Sequence, residues 1–185
     1  TYTGNITQNL VHPWGLAISS NGTLYASNYR GLYNGTISIF GPNGTYTGNI
    51  TNNVYSPAGL AISSNGTLYA ANYYQPTIKI FGPNGTFSGN ITGQIYYQTS
   101  IAISPDGNLY VTNYNNNTIS IFGPNGTYTG NITSQHLLLP YSVAIGNFTQ
   151  ESVVPNGINL AESVNSTATL NIGTYGGSDT SATLN

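Results

Sequence analysis

Short apolar runs separated by polar turns make up most of this chain. The run Gly15-Leu-Ala-Ile-Ser19 precedes an Asn-Gly pair, after which Leu, Ala and Asn alternate with Tyr and Ser over residues 24–28. An alternation with a period of two is typical of β-strands, and Asn-Gly favours the tight turn of a β-hairpin. β-Branched residues, Gly and Asn dominate every segment, which disfavours helix. The pattern therefore predicts an all-β fold of short antiparallel strands.

One segment recurs and organises this pattern. Residues 37–51 return as residues 78–92 with three substitutions, and again unchanged as residues 119–133. The starts differ by 78 − 37 = 41 and 119 − 78 = 41 residues, a period that is typical of propellers and solenoids. Residues 1–7 repeat only the second half of the segment, so we expect the chain to begin inside a repeat.

Each repeat predicts four strands. The first strand is expected at residues 14–19, 58–63, 99–104 and 141–146, the second at 23–28, 67–72 and 108–113, the third at 36–40, 77–81 and 118–122, and the fourth at 46–51, 87–92 and 128–133. Four short antiparallel strands in about 41 residues make one blade of a β-propeller. Nearly continuous apolar runs are typical of strands covered on both faces. We therefore expect these residues on the innermost, most buried strands, with the Gly-Pro-Asn-Gly turns at the periphery: Leu16, Ala17, Ile18, Leu60, Ala61, Ile62, Ile101, Ala102 and Ile103.

Two motifs resemble known propeller repeats. Residues 109–121 contain Tyr-Val-Thr-Asn and resemble the YVTN repeats of archaeal and bacterial surface-layer proteins. Residues 57–72 resemble the NHL repeat family. The resemblance covers roughly residues 1–146 and implies three complete blades and the start of a fourth. Residues 147–185 form a divergent β tail that either completes the last blade or pairs with a neighbouring subunit.

The tail carries the expectation about assembly. Strand-like patterning continues at residues 158–164 and 167–175, but without a Gly-Pro-Asn-Gly turn to complete a blade. Unpaired strand edges recruit other chains, and repeated head-to-tail pairing yields a fibre. We therefore expect a homo-oligomer or filament in which a neighbouring chain accepts one segment, the alternative being that the segment folds back within its own chain. The segment consists of Ser166, Thr167, Ala168, Thr169, Leu170, Asn171, Ile172, Gly173, Thr174 and Tyr175.

Charge is nearly absent from this chain. Charged residues make up 3% of it, with a formal net charge of −2, whereas an average soluble protein has about 25%. Such a chain offers no surface that neutralises phosphates, which argues against nucleic-acid binding. It contains no Cys, which excludes disulfides and thiolate metal sites, and no apolar run approaches the length of a membrane span.

The most frequent chemical motif is Asn-X-Thr, the acceptor of N-glycans. Hairpin chemistry accounts for the Asn-Gly pairs, but not for Asn-Ile-Thr within a predicted strand, nor for Thr rather than Ser at every third position. We therefore predict N-glycosylation, which would also supply the solubility that the missing charges do not. The acceptors are Asn5, Asn21, Asn34, Asn43, Asn49, Asn65, Asn84, Asn90, Asn116, Asn125, Asn131, Asn147 and Asn165.

Two enzyme-like sets compete with this interpretation. Asn28, Asn72 and Asn113 share one place in the repeat, and in lactonase-like propellers, which this chain resembles, Asn holds a metal together with Glu and Asp. Here no carboxylate repeats with them, so we expect each amide to satisfy backbone groups at a strand end. His12 and His136 precede first strands, as in a lyase-like propeller, but lack a matching acid–base partner.

The preferred hypothesis is a non-enzymatic extracellular protein, a glycosylated propeller subunit of a cell-surface coat, fibre or adhesive filament, without metal or cofactor. A lactonase-like or lyase-like enzyme is one alternative. A secreted carbohydrate-binding module is another, for which exposed Tyr would be the evidence. Repeating Tyr residues are expected to pack between blades, whereas the pairs Tyr73-Tyr74 and Tyr96-Tyr97 are candidates for partner contact.

Overall fold

A computed structural model describes residues 4–31, 35–147, 168–174 and 180–184. Within these ranges the chain is almost entirely β, with one turn of 3₁₀ helix at Tyr114–Asn116. The fifteen described strands are β1 Pro13–Ile18, β2 Leu24–Tyr29, β3 Gly35–Phe40, β4 Tyr46–Ile50, β5 Pro57–Ile62, β6 Leu68–Asn72, β7 Thr77–Phe81, β8 Phe87–Thr92, β9 Gln98–Ile103, β10 Leu109–Asn113, β11 Thr118–Phe122, β12 Tyr128–Thr133, β13 Pro140–Asn147, β14 Ala168–Thr174 and β15 Thr180–Leu184.

The strands form four antiparallel sheets in chain order. Strands β1 to β4, β5 to β8 and β9 to β12 each make a four-stranded sheet, and β13 to β15 make a sheet of three. We call these sheets blades 1 to 4. The twelve strands of blades 1 to 3 begin and end within about one residue of the predicted bounds. The predicted all-β blade architecture is confirmed.

The Gly-Pro-Asn-Gly turns close the outer hairpins, as predicted. In blade 1 the Gly44 amide donates to the Gly41 carbonyl at 2.8 Å, and Gly44 takes a φ of 79°, which is strained for residues with a Cβ. The Asn43 side-chain oxygen accepts from the Thr45 amide at 3.1 Å. Pro42 and Asn43 are exposed. The same turn recurs in blades 2 and 3, so local chemistry repeats the outer hairpin.

Apolar side chains fill the spaces between successive blades. Between blades 1 and 2, Ile37 and Ile50 of one blade pack in a single cluster with Leu60, Leu68 and Phe81 of the other. A corresponding cluster lies between blades 2 and 3, and a smaller one between blades 3 and 4. Every blade therefore has a face for the preceding blade and a face for the following one.

The first strands of the blades lie side by side at the inner edge. Strand β5 contacts β1 on one side and β9 on the other, and β9 contacts β13. Their spacing is tight, because a Cβ at Gly15 would lie 2.3 Å from the Ala58 carbonyl oxygen and one at Gly59 would lie 2.7 Å from the Ser100 Cα. Glycine is therefore required where neighbouring backbones approach.

The burial predicted for the first of these strands is wrong. Leu16 and Ile18 are 63% and 65% exposed, whereas the matching Leu60 of blade 2 is 6% exposed. Ile62, Ala102 and Ile103 are half-buried rather than buried. Leu60 packs on blade 1, but no preceding blade lies within the described residues to cover Leu16. The strand is innermost, as expected, but one of its faces is open.

The N-terminal segment takes the place of an outer strand of a preceding blade. A Cβ at Gly44 would meet the Ile6 side chain at 3.3 Å, just as one at Gly85 would meet Ile50 at 3.2 Å. Residues 4–7 have the same sequence as residues 48–51, which explains why they dock in the same way. The segment covers the outer part of the blade 1 face and leaves Leu16 open.

The described part of the tail pairs within its own chain. Strand β14 lies between β13 and β15, with Val143 opposite Ile172 and Leu170 opposite Ala182. Both edges of β14 are occupied, so the expected donation of residues 166–175 to a neighbour is not what this structure has. The unpaired edge of β13 belongs to the same chain, so β14 can pair with it without the association of two molecules. The predicted strand at 158–164 lies outside the described residues, as do Ser166, Thr167 and Tyr175.

Candidate functional site

Aromatic rings from all four blades meet at one end of the inner strands. We call this set the aromatic face, and it consists of Trp14, Tyr29, Tyr73, Tyr74, Tyr97, Tyr114 and Tyr141. Trp14 is its hub, with ring centroids 5.4 Å from Tyr29 and 5.4 Å from Tyr73. Trp14 also stacks on Tyr141 at 6.0 Å, with 16° between the ring planes. The first and last blades thus touch through these two rings.

The repeat positions explain how this face forms. Trp14 and Tyr141 occupy the same place at the start of a first strand, where blades 2 and 3 have the small residues Ala58 and Thr99. Blades 1 and 4 have large rings at this position, whereas blades 2 and 3 have small side chains, so the two rings can meet. Tyr97 precedes the first strand of blade 3 and has a φ of 50°, a conformation that is uncommon for a residue with a Cβ.

The face is partly solvent-exposed and held together by polar as well as ring contacts. Tyr74, Tyr97 and Tyr141 are 41%, 42% and 41% exposed. The Tyr29 hydroxyl donates to the Tyr74 hydroxyl at 3.2 Å. This hydrogen bond, with a contribution from burial, raises the pKa of Tyr29 to about 12. Burial similarly raises the pKa of Tyr73. Tyr29 and Tyr73 therefore stay neutral across the physiological range.

A cavity of about 270 Å³ lies between the inner strands beneath the Trp14–Tyr141 stack. Its lining includes Gly15, Leu16, Gly59, Ser100 and Ser142, and the Ser100 hydroxyl accepts from the Val143 amide at 3.3 Å. No charged residue lines it. Trp14 and Tyr141 of the aromatic face thus border a small pocket without charged lining residues.

The repeated Asn residues at strand ends are structural. Asn28 is 1% exposed, accepts from the Val11 amide at 2.9 Å and donates to Ser38 Oγ at 2.8 Å. Asn113 does the same with the Tyr96 amide and Ser120. In blades 1 and 3 this amide side chain bonds the loop that enters its own blade. Residues 4–31, 35–147, 168–174 and 180–184 hold no group of three His, Cys, Asp or Glu side chains placed to share a metal ion.

Blade 2 departs from this arrangement, and it has Lys79 where blades 1 and 3 have the serine. Asn72 still donates to Thr77 Oγ1 at 2.9 Å, but its buried Oδ1 has no hydrogen-bond partner. Lys79 is 8% exposed, and its ammonium lies 5.6 Å from the centre of the Tyr55 ring and 5.7 Å from that of Phe87. Burial lowers the pKa of Lys79. The ring faces give the cation its nearest electrostatic partners.

The two histidines do not form a catalytic pair with any described carboxylate. His12 and His136 are both exposed. The His12 carbonyl accepts from the Tyr29 amide at 3.3 Å, and the His136 ring lies 3.3 Å from the Gln135 amide nitrogen. His12 has a φ of 45°, as the matching Ser56, Tyr97 and Leu139 also have positive φ values. This position is therefore a backbone feature of the repeat.

The glycosylation motifs lie on the outside of the blades. Exposure is described for ten of the thirteen asparagines, and all ten are exposed: Asn5, Asn21, Asn43, Asn49, Asn65, Asn84, Asn90, Asn116, Asn125 and Asn131. Asn34 and Asn165 lie outside the described residues, and for Asn147 only the backbone is described. In the turns at Asn43, Asn84 and Asn125, the side-chain oxygen accepts the hydrogen bond, which leaves the nitrogen, the atom that carries an N-glycan, directed elsewhere.

Comparisons with known proteins define the class. The NHL repeat family model matches residues 99–122, which run from β9 to β11. No curated protein matches the sequence. A structure titled "Crystal structure of Nidogen/Laminin Complex" matches with a TM-score of 0.65 and 18% identity, over 74% of this chain and 53% of that one. Kuenenia stuttgartiensis hydrazine synthase matches with a TM-score of 0.67 and 17% identity, over 100% of this chain and 49% of that one.

These likenesses confirm the fold that the sequence predicts. Both solved structures have β-propeller folds, and this chain spans about half the length of each. At such identities the likeness shows the fold alone. The protein has a β-propeller repeat fold, and one of its repeats, residues 99–122, matches the NHL repeat family model. Within the described residues, no helix has the length and apolar character that crossing a bilayer requires.

The sequence found only part of the aromatic face. The sequence singles out Tyr73, Tyr74, Tyr96 and Tyr97 as candidates for partner contact. Tyr73, Tyr74 and Tyr97 belong to the aromatic face, whereas Tyr96 has no ring contact among the described residues although it is 46% exposed. Trp14 and Tyr141 were missed. The available signal was that both stand at one repeat position, in the first and last blades.

Proposed function

We propose that this protein is a non-enzymatic structural component of the cell surface, a glycosylated β-propeller subunit of an extracellular coat, fibre or adhesive filament. The observation that carries the proposal is the exposure of its Asn-X-Thr asparagines. All ten with described side chains are accessible, including Asn49, Asn90 and Asn131 on the outermost strands, and N-glycans attach in this sequence context.

The surface composition supports the same function. With 3% charged residues, the protein lacks the ionised side chains that keep most proteins soluble. Sugars on the outer strands and turns would supply the missing hydration. They would lie away from the faces between blades, so a dense glycan coat is compatible with the packed core.

Mass spectrometry of natively purified protein tests glycosylation. We expect an intact mass above the sequence mass of 19.5 kDa and sugar on peptides that contain Asn49, Asn90 and Asn131. Enzymatic or chemical removal of the sugars is expected to lower solubility. Unmodified asparagine at all three positions would contradict the proposal.

Assembly follows from the two open blade faces. Leu16 and Ile18 stand where Leu60 and Ile62 pack on a preceding blade, and Ala144 of blade 4 is exposed where Ala61 of blade 2 is buried. Blade 1 thus presents one half of the repeated interface and blade 4 presents the other. We infer that blade 4 of one copy covers blade 1 of another, since the same packing is already satisfied between successive blades.

Sedimentation of the chain over a range of concentrations tests this contact. We expect wild-type protein to associate and Leu16→Asp to remain monomeric, because a carboxylate cannot be buried between blades without a partner. Leu138→Asp is the matched control, since Leu138 is 59% exposed in a loop outside the blade faces. A monomeric wild-type chain, or association of Leu16→Asp equal to that of the control, would contradict assembly through this face.

A further inference from the structure

We propose that the aromatic face is a binding site for neutral saccharides, with the exposed rings as the platform and the cavity beneath the Trp14–Tyr141 stack as a subsite for one sugar unit. This site is separate from the glycosylation motifs, whereas its subsite shares Leu16 with the open face of blade 1. It would give the propeller a recognition function in addition to a structural one.

The first argument is the chemistry of the rings. A pyranose has one apolar face of C–H groups and a rim of hydroxyls, so it suits a platform that is apolar in its body and polar at its edge. Tyrosine and tryptophan have this character. Tyr74 and Tyr97 expose about four-tenths of their surface, and Tyr74 hydrogen-bonds to the Tyr29 hydroxyl. The platform is therefore preorganised rather than assembled on binding.

The second argument is the fixed geometry of the platform. Tyr73 lies 4.8 Å from Tyr74 and 5.5 Å from Tyr97, both edge-on, and Trp14 lies 5.4 Å from Tyr73. Each ring is held by at least one other, which restricts its rotation. Rings that face a saccharide in fixed positions lose little entropy when it binds.

The third argument is the pocket beneath the rings. Its volume of about 270 Å³ is large enough for a single sugar unit, and Ser100 and Ser142 are among its lining residues. Ser142 is exposed. An apolar rim with a few polar groups below is the usual composition of a small-molecule site.

The scarcity of charged side chains around the aromatic face favours neutral ligands. Among the described charged residues, Asp106 bonds Ser104 and Asn108 in a turn at the opposite end of its blade. Lys79 is buried among aromatic rings in blade 2. Arg30 is exposed and follows Tyr29, so a single cation stands near the rim. This rim has too little charge to favour a polyanionic saccharide.

Fluorescence titration of recombinant, glycan-free protein tests the site, because Trp14 is the single tryptophan of the chain. The probes are neutral gluco- and manno-oligosaccharides, a sulfated polysaccharide and a proline-rich peptide. We expect a saturable change with at least one neutral oligosaccharide. No response to any neutral probe would overturn the proposal, and so would a response confined to the sulfated polysaccharide or to the peptide, since aromatic grooves also bind polyproline.

Two variants decide whether the platform is responsible. Tyr74→Ala and Tyr97→Ala are expected to weaken binding at least tenfold. Tyr96→Ala is the matched control, because Tyr96 is 46% exposed but makes no ring contact within the described part of the chain. Near-ultraviolet circular dichroism and thermal melting report whether each variant folds. Folded variants that bind as tightly as the control would overturn the assignment.

A final comparison identifies the source of the saccharide. If the ligand is a glycan of a second copy, natively glycosylated protein should respond to added oligosaccharide only after its own glycans are removed. If the ligand is a free polysaccharide, the response should be equal before and after removal. Binding is measured at protein concentrations below those at which the chain associates, because a second copy packed on Leu16 would also cover the subsite. Failure to bind at those concentrations leaves the assembly proposal standing, and a monomeric wild-type chain leaves the saccharide site standing.

Discussion

The pentapeptide Gly-Leu-Ala-Ile-Ser occurs at the start of blade 1 and again at the start of blade 2, at residues 15–19 and 59–63. Both copies form the first strand of their blade. In blade 2, Leu60 is 6% exposed, whereas Leu16 of blade 1 is 63% exposed. Identical local sequence therefore gives identical secondary structure and opposite burial, because burial depends on whether a preceding blade is present.

The same contrast distinguishes the local sequence features that form each blade from the apolar contacts that join one blade to the next. The turn residues and the alternating pattern act within about ten residues, and they work equally well in every blade. Within the described residues, apolar contacts join blades about 41 residues apart, and Leu16 of blade 1 is left uncovered where Leu60 of blade 2 is packed. A propeller blade is thus specified locally and stabilised by its neighbours.

The largest expected effect comes from truncating the two leucines. Leu60→Ala should lower the free energy of unfolding by about 3 kcal/mol, since it leaves a cavity between blades 1 and 2. Leu16→Ala should change it by less than about 0.5 kcal/mol in the monomer. Urea unfolding at low protein concentration measures both. Equal losses would show that Leu16 is covered within the monomer, which would break the comparison.

The second effect concerns the close approach of inner strands. Gly59→Ala should cost about 2.5 kcal/mol, because the new Cβ would lie 2.7 Å from Ser100 Cα. Gly89→Ala on the outer strand is the control, since nothing lies within 4 Å of its Cβ position. That change should be neutral or slightly stabilising. Thermal unfolding of both variants gives the measurement, and a destabilised Gly89→Ala would remove the distinction between inner and outer strands.

The third effect compares two buried amides. Asn113→Ala should cost about 2 kcal/mol, because it leaves the Tyr96 amide without its acceptor and Ser120 without a donor. Asn72→Ala should cost about half as much, since its Oδ1 is already unpartnered. Denaturant unfolding of the two variants tests the difference. A larger loss for Asn72 would mean that its oxygen has a partner in solution.

The smallest expected effect is an increase in the free energy of unfolding. Lys79→Ser restores the residue found in blades 1 and 3 and should stabilise the protein by about 1 kcal/mol near neutral pH, through hydrogen bonds with Asn72. Because burial lowers the pKa of Lys79, the unfolded chain binds this proton more tightly than the folded one. The destabilisation caused by burying the charged lysine is complete below the lowered pKa of the folded state. It disappears as pH rises towards the ordinary lysine pKa of 10.5.

Unfolding curves of wild type and Lys79→Ser across pH 7 to 11 measure this difference. The advantage of the variant should shrink with rising pH, since the wild-type chain alone loses its charged lysine. Ionisation of the buried tyrosines, which have raised pKa values, weakens both proteins equally at high pH and cancels in the difference. An advantage that stays constant with pH would assign the gain to packing rather than charge.

The aromatic face shows the limit of sequence reasoning for sites. Tyr73 and Tyr74 are neighbours in sequence and stand out as a pair, so their exposure could be anticipated. Trp14 and Tyr141 are 127 residues apart (141 − 14 = 127), and only the curvature of the blade array brings them to 6.0 Å. Aligning the repeats shows that both residues occupy the same position in their blades, but it does not show that the two rings contact each other.

The amino-acid sequence by itself determined the blades. Asn-Gly and Gly-Pro-Asn-Gly fix turns whose φ values only glycine accepts readily, and the two-residue alternation fixes which side chains share a face, so strands of blades 1 to 3 appear where the pattern predicts them. Only the tertiary structure decided which faces are covered, how β13 to β15 complete a fourth blade, and which rings meet above the inner strands. Those outcomes depend on contacts between residues far apart in the chain. Identical segments such as 15–19 and 59–63 do not determine which residues pack on them.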